Sequence, residues 1–236
     1  MIQFYAPDIS INPILPESES QHCVKVLRMK SGDFIEVIDG KGYRYECQII
    51  DAHTKKTLVK IINSENIPLS WNNNITIAVA PTKNMDRMEW LIEKLTEVGI
   101  NNIVPLKCRY SERKEIKLER MEKIAISAMK QSLKAVLPKI EQMTTISDFI
   151  KNYDATQKFI AYCSPSIPRL LFSKEYKPNK DTIILIGPEG DFSIDEITHA
   201  INNGYKPISL GDNRLRTETA ALVSCQICHI INQINQ

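Results

Sequence analysis

Ile183-Ile184-Leu185-Ile186-Gly187-Pro188-Glu189-Gly190 decides how this chain is read. Four consecutive aliphatic residues suit a strand buried on both faces, as in a parallel sheet covered by helices. The run stops at Gly187-Pro188-Glu189-Gly190, whose two glycines permit backbone shapes and close approaches denied to other residues. Ser193 follows as a helix N-cap, with Glu196 at the spacing of a reciprocal capping box. The tetrapeptide thus falls between a strand's carboxyl end and a helix's amino end, where ligands bind in open α/β sheets. Alone, it is more simply a turn without a ligand.

Downstream the pattern returns. Ile208-Ser209-Leu210 reads as another strand, Gly211-Asp212-Asn213-Arg214 as a polar loop, and Leu215-Arg216-Thr217-Glu218-Thr219-Ala220 as the start of a helix. Two ligand-type loops are therefore expected to leave adjacent strands. Upstream, the runs Ile75–Ala80, Ile103–Leu106 and Phe159–Cys163 join Ile183–Ile186 and Pro207–Leu210 as five strands alternating with helices, the signature of a parallel α/β sheet. The first helix is expected to be capped by Asp86 with Glu89, to bury Met88, Leu91, Ile92, Leu95 and Val98, and to stop at Gly99. A second covers Leu118 to Ala135, with Met121, Ile124, Ala125, Ala128 and Ser132 buried and Arg120, Lys123, Lys130 and Lys134 outside. Before Pro68 the texture differs. Phe34–Ile38, the turn Asp39–Gly42, Tyr43–Asp51 and Thr57–Ile62 predict a small antiparallel barrel. The polar break Ser70–Asn74 divides a domain over 1–70 from an α/β domain over 71–236.

A chain of 236 residues with 43% hydrophobic and 25% charged residues is long enough for a full core and ordinary in composition. No apolar stretch approaches the roughly 20 residues of a membrane helix, and the start lacks a signal-peptide pattern, so a cytoplasmic protein without membrane contact is expected. The six cysteines are scattered, as free thiols would be. Cys225-Gln226-Ile227-Cys228-His229 has the spacing of a haem attachment site, but it lies in a helical apolar pattern and reads as core. No second ligand pair accompanies it, so no metal is expected. The net charge of +2 hides a local excess from Lys107 to Lys139, where ten Lys/Arg face four Glu. Such a stretch attracts phosphate, or is a solvated helix face.

The combination resembles the SPOUT-class methyltransferases, specifically the RsmE family, which methylates N-3 of a uridine in 16S ribosomal RNA. The resemblance rests on His22-Cys23-Val24-Lys25-Val26-Leu27-Arg28, on Lys83 through Gly99 with Glu89, Lys94 and Glu97, on Arg109-Tyr110-Ser111-Glu112-Arg113, on Ala128 through Ser132, and on Gly187–Gly190 and Leu215–Ala220. It implies a C-terminal trefoil knot, an N-terminal RNA-binding barrel of PUA type, and a homodimer joined through the knot. It also implies S-adenosylmethionine held by Leu185, Ile186, Gly187, Glu189, Gly190, Leu210, Gly211, Leu215 and Arg216. This sequence departs from the family pattern at Asp191, where a second glycine is usual, at Asp212-Asn213-Arg214, where the arginine has moved by one position, and at Gln3, where arginine is common.

Methylating N-3 of uracil requires loss of the imide proton, and a cation such as Arg216 would stabilise the resulting anion. Glu218 either accepts that proton or favours the positive end of the last helix. Arg28, Lys83, Arg87, Arg109, Arg113 and Lys134 are the candidate contacts to 16S ribosomal RNA in the small subunit, since cations dominate phosphate binding. The alternatives are a SPOUT enzyme acting on transfer RNA or a ribose hydroxyl, and a non-catalytic RNA-binding homologue.

Overall fold

A computed structural model describes residues 2–163 and 168–235. The chain forms two compact units, Met1–Ser70 with Ile126–Leu137, and Trp71–Ala125 with Pro138–Gln236. A division at residue 70 alone leaves out Ile126–Leu137, which belongs with the first unit. Two backbone bonds hold it there: Gly42 N–H donates to Ala135 O at 3.0 Å, and Leu137 N–H to Gly40 O at 2.9 Å. Met129 and Ala135 share a small buried cluster with Ile38.

The first unit contains β1 (Gln3–Tyr5), α1 (Glu17–Gln21) running into a π-helical turn at His22–Val26, β2 (Phe34–Ile38), β3 (Tyr43–Asp51) and β4 (Leu58–Asn66). Its sheet runs β1-β2-β3-β4. β1 lies parallel to β2, whereas β2, β3 and β4 pair antiparallel. The sheet is therefore mixed, not wholly antiparallel as expected. Three residues of β1 are too few to show a period of two. Elsewhere the alternation is plain: Ile35 and Val37 on β2 and Tyr45, Cys47 and Ile49 on β3 turn into one core with Phe4. Lys130 departs from the solvated face expected of it, because its ammonium pairs with the largely buried Glu19 carboxylate.

The second unit contains β5 (Ile75–Val79), α2 (Met85–Val98), β6 (Asn102–Lys107), the first turns of α3 (Leu118–Gln131), β7 (Lys139–Ile140), β8 (Thr144–Thr145), α4 (Ile146–Asn152) and β9 (Gln157–Ala161). It continues with β10 (Leu170–Leu171), α5 (Phe172–Glu175), β11 (Thr182–Ile186), α6 (Ile194–Asn202), β12 (Lys206–Ser209) and α7 (Thr217–Ile234). Its parallel sheet runs β10-β12-β9-β11-β5-β6-β7, with β8 pairing on β6. β11 is central and buried at all five positions, as its unbroken aliphatic run demands. The expected reciprocal box at α6 is present, Ser193 Oγ accepting from Glu196 N–H while the Glu196 carboxylate accepts from Ser193 N–H.

Three expectations are corrected. α2 is capped by Asn84, whose side chain accepts from Asp86 N–H at 2.9 Å, so Asp86 lies inside the first turn and is not the cap. α3 ends at Gln131, four residues short of Ala135, and the chain then turns through Leu133 at φ 56°. β9 lies between β11 and β12, so the two glycine loops do not leave adjacent strands. No helix among the described residues is long and apolar enough to cross a membrane.

Candidate active site

Because β9, β11 and β12 are parallel, their carboxyl ends face the same way, and a cavity of about 360 Å3 opens there. Ile186, Gly187, Pro188, Glu189 and Asp191 form one wall, Ile208 to Gly211 and Asn213 to Arg216 a second, and Ala161, Tyr162 and Cys163 lie between them. Thr217 and Ala220 of α7, Arg87 of α2 and Arg169 complete the lining. The β9 end and Arg169 escape sequence reading because no glycine or charged motif marks Phe159–Cys163 as more than a strand.

Of the positions carried over for the cofactor, Ile186, Gly187, Glu189, Leu210, Gly211, Leu215 and Arg216 line this cavity, while Leu185 and Gly190 do not. Leu185 is fully buried in the core beneath. At Gly190 an added Cβ would stand 3.1 Å from Tyr110 Cβ, and at Gly187 one would stand 3.1 Å from the Phe192 ring. Both glycines therefore serve close packing. The left-handed residues of the two loops are instead Asp191 at φ 67° and Gly211 at φ 128°.

Thr217, the first residue of α7, ties the two loops: its buried hydroxyl donates to Gly187 O at 3.0 Å. Thr217→Val keeps the shape but strands that buried carbonyl, and we expect a loss of about 1–2 kcal/mol in urea unfolding. An unchanged unfolding midpoint would show that the bond contributes nothing.

Arg214 and Arg216 are exposed at the cavity and form no ion pair among the described residues. Arg216 occupies the N-cap of α7 without a side-chain capping bond. Glu218 is only 6% exposed and stands outside the cavity lining. Its carboxylate lies 3.8 Å from Arg87 Nε, and it sits in the first turn of α7, where the helix dipole favours an acid.

The loop Cys108–Arg113 packs beside the glycine turn. Arg109 N–H donates to Glu196 at 2.8 Å, Arg113 Nε to Lys83 O at 3.0 Å, and Lys83 N–H to the Glu189 carboxylate at 2.9 Å. Three candidate phosphate contacts, Lys83, Arg109 and Arg113, are thus exposed around this loop, with Arg87 in the cavity wall. Their ion pairs, Lys83 with Glu112 and Arg109 with Asp195, are exposed and of little energetic weight, so a phosphate can replace the carboxylate cheaply. Arg28, exposed at φ 55°, and the half-buried Lys134 belong to the first unit.

The haem-like spacing is core: Cys225 and Cys228 are fully buried, and burial pushes the Cys225 thiol up to about 12. Among the described residues, no three His, Cys, Asp or Glu side chains gather as a metal site would require.

The family model described as an RNA methyltransferase domain matches residues 70–229, and that described as an RNA methyltransferase PUA domain matches residues 15–62. Ribosomal RNA small subunit methyltransferase E of Buchnera aphidicola is 32% identical over 229 residues, covering 92% of this chain and 88% of the relative. A crystal structure from Porphyromonas gingivalis, described as a probable rRNA-methyltransferase, is 42% identical with a TM-score of 0.94 and full coverage of both chains. The ribosomal RNA small subunit methyltransferase E of Neisseria gonorrhoeae, solved bound to S-adenosyl methionine, is 25% identical with a TM-score of 0.82 over 95% of each chain. Matches of this extent run through every strand end of the cavity, and by them the chain belongs to the ribosomal RNA small subunit methyltransferase E family.

Proposed function

We propose that this protein transfers a methyl group from S-adenosylmethionine to N-3 of a uridine in 16S ribosomal RNA of the small subunit. The observation that carries the reading is the cavity at the ends of β9, β11 and β12, which joins apolar walls to the exposed guanidiniums of Arg214 and Arg216, unpaired among the described residues. Its volume of about 360 Å3 falls within the range of small-ligand sites. Ile186, Leu210 and Leu215 offer apolar contact, and Gly187 and Gly211 let a ligand approach the loop backbones closely. These residues fit a nucleoside cofactor and would hold it together with Glu189 and Arg216, with Leu185 and Gly190 supporting the wall from behind.

When bound, the cofactor supplies an electrophilic methyl group on a sulfonium. The chain's own task is to align the acceptor and to exclude water. Arg216 presents its guanidinium at the cavity and favours the base that has lost its N-3 proton. Glu218, buried beside Arg87, holds that arginine toward the cavity and stabilises the start of α7. This reading is preferred to one in which Glu218 receives the proton, since its carboxylate is not in the cavity lining. Lys83, Arg109, Arg113, Arg28 and Lys134 attract the phosphates of the RNA, with the mixed sheet of the first unit serving as a PUA-type RNA-binding domain.

Three further features belong to the same reading. The segment from Leu210 to Arg216 is knotted through the preceding loop, as supported by the Thr217 bond to Gly187 and by β9 lying between β11 and β12. The protein is a homodimer in the cytoplasm, joined near the knot. Ile230 and Ile234, 43% and 76% exposed on α7, are suited to a subunit contact.

Calorimetric titration with S-adenosylmethionine, followed by nucleoside mapping of ribosomal RNA from a deletion strain, tests the proposal. We expect stoichiometric binding and the loss of one 3-methyluridine, restored by complementation. Absence of cofactor binding would favour a non-catalytic RNA-binding protein.

A further inference from the structure

The end of β9 is held in an unusual way. β9 pairs with β11 and β12 as far as Ala161, opposite Ile186 and Ile208, and there the ladder stops. The next backbone groups bear on the cavity wall and need other partners. Cys163 N–H donates to Asp191 Oδ2 at 2.8 Å, and Tyr162 O accepts from Arg169 Nη1 at 2.6 Å. The Arg169 guanidinium also lies 5.9 Å from the centre of the Tyr162 ring. Both charged side chains line the cavity.

Asp191 does more than accept one bond. Its other oxygen, Oδ1, accepts Phe192 N–H at 2.8 Å, and its own N–H donates to Pro188 O at 2.9 Å. Phe192 is the ring against which Gly187 packs. One residue therefore closes the glycine turn, orients the aromatic ring beneath it and reaches across to the β9 end. At φ 67° the backbone is one that glycine adopts freely and that Asp and Asn tolerate better than other residues. A glycine at this position, where the family pattern has one, would supply the same turn but leave Cys163 N–H without the carboxylate.

We propose that Asp191, assisted by Arg169, is a positioning residue that latches the β9 end against the glycine turn and thereby sets cofactor affinity. The inference rests on the cofactor reading above and adds the group that preorganises the site. A wall fixed before the ligand arrives spares binding the cost of ordering it. The carboxylate suits the task because each oxygen takes one backbone N–H in a charge-assisted bond.

The test compares Asp191→Gly with Asp191→Asn. Glycine keeps the left-handed turn and removes both bonds, whereas asparagine keeps the turn and one carbonyl acceptor. We expect calorimetry to show about tenfold weaker S-adenosylmethionine binding for Asp191→Gly, with Asp191→Asn recovering most of it. Affinity for ribosomal RNA without cofactor should be unchanged in both. Amide hydrogen exchange at Cys163, read without any ligand, should be slow in the unaltered protein, faster in Asp191→Gly and intermediate in Asp191→Asn. Equal cofactor affinity in Asp191→Gly overturns the role in affinity, and equal exchange at Cys163 overturns the latch itself. If the unaltered protein took up no S-adenosylmethionine, the cofactor reading would fail, while the exchange measurement would still decide the latch.

Discussion

Arg216→Ala is expected to slow methyl transfer about a hundredfold, the scale seen when one preorganised charge-stabilising group is removed from an active site. The side chain is exposed, forms no ion pair among the described residues and makes no capping bond, so its loss should leave thermal stability within about 0.5 kcal/mol. That separation makes the experiment clean. Single-turnover methylation of small subunits should fall even at saturating S-adenosylmethionine, beyond any loss of cofactor affinity, because the interaction with the base strengthens only as it loses its proton. Arg216→Lys should recover part of the rate by restoring charge without the planar fork. A rate within twofold of the unaltered enzyme would remove Arg216 from the chemistry.

Gly99→Ala should have the largest effect on stability. Gly99 ends α2 at φ 117°, and an added Cβ would stand 2.6 Å from two atoms of the Trp71 ring. The ring cannot easily retreat. Trp71 Nε1 donates to Asn101 at 2.8 Å and the indole packs edge-on against His229, with ring centres 4.9 Å apart. The carbonyl of Gly99 is also engaged, accepting from Cys225 Sγ at 3.2 Å and from His229 Nε2 at 2.7 Å. Backbone strain and overpacking of this kind each cost about 1–3 kcal/mol. We expect a combined loss of about 3 kcal/mol and a melting temperature lower by about 10 °C. A fall of less than about 2 °C would mean that Trp71 moves aside without resistance.

Much of the second unit was legible because its strands are unbroken aliphatic runs and its helix ends carry strong signals. Ile183–Ile186 reads as a buried strand, and Ser193 with Glu196 reads as the start of a helix, as both are in the fold. Strand order was not legible. Ile208-Ser209-Leu210 contains nothing to say that β9, formed nearly fifty residues earlier, would lie beside it, since pairing is chosen by the three-dimensional packing of helices between strands. Hence Tyr162, Cys163 and Arg169 were missed. Local competition explains the cap of α2, where Asn84 and Asp86 are both good capping residues and only the backbone angles decide. The first unit hid β1 by its length, and it hid the return of Ile126–Leu137 because nothing in the helical pattern from Leu118 onward marks Ile126 as a boundary.

The site residues divide along the same line. Glycines and the arginine of a motif announce themselves, whereas a carboxylate that binds backbone N–H groups does so only once distant strand ends are brought together. Asp191 reads in the sequence as the loss of a glycine, and in the fold it keeps the left-handed turn while gaining a reach across the wall.

The sheet order also governs how the nascent chain must wait on the ribosome. β5, emerging early, pairs on one side with β6 and on the other with β11, whose residues are synthesised about a hundred positions later. At translation speeds of about 5–20 residues per second, one edge of an almost wholly apolar strand stays open for roughly 5–20 seconds. During that interval it is a template for pairing with other chains. Slower synthesis lengthens the exposure, and a chain released before β11 carries neither the closed edge nor the loop that Thr217 fastens, so such fragments should aggregate rather than persist as partly active enzyme.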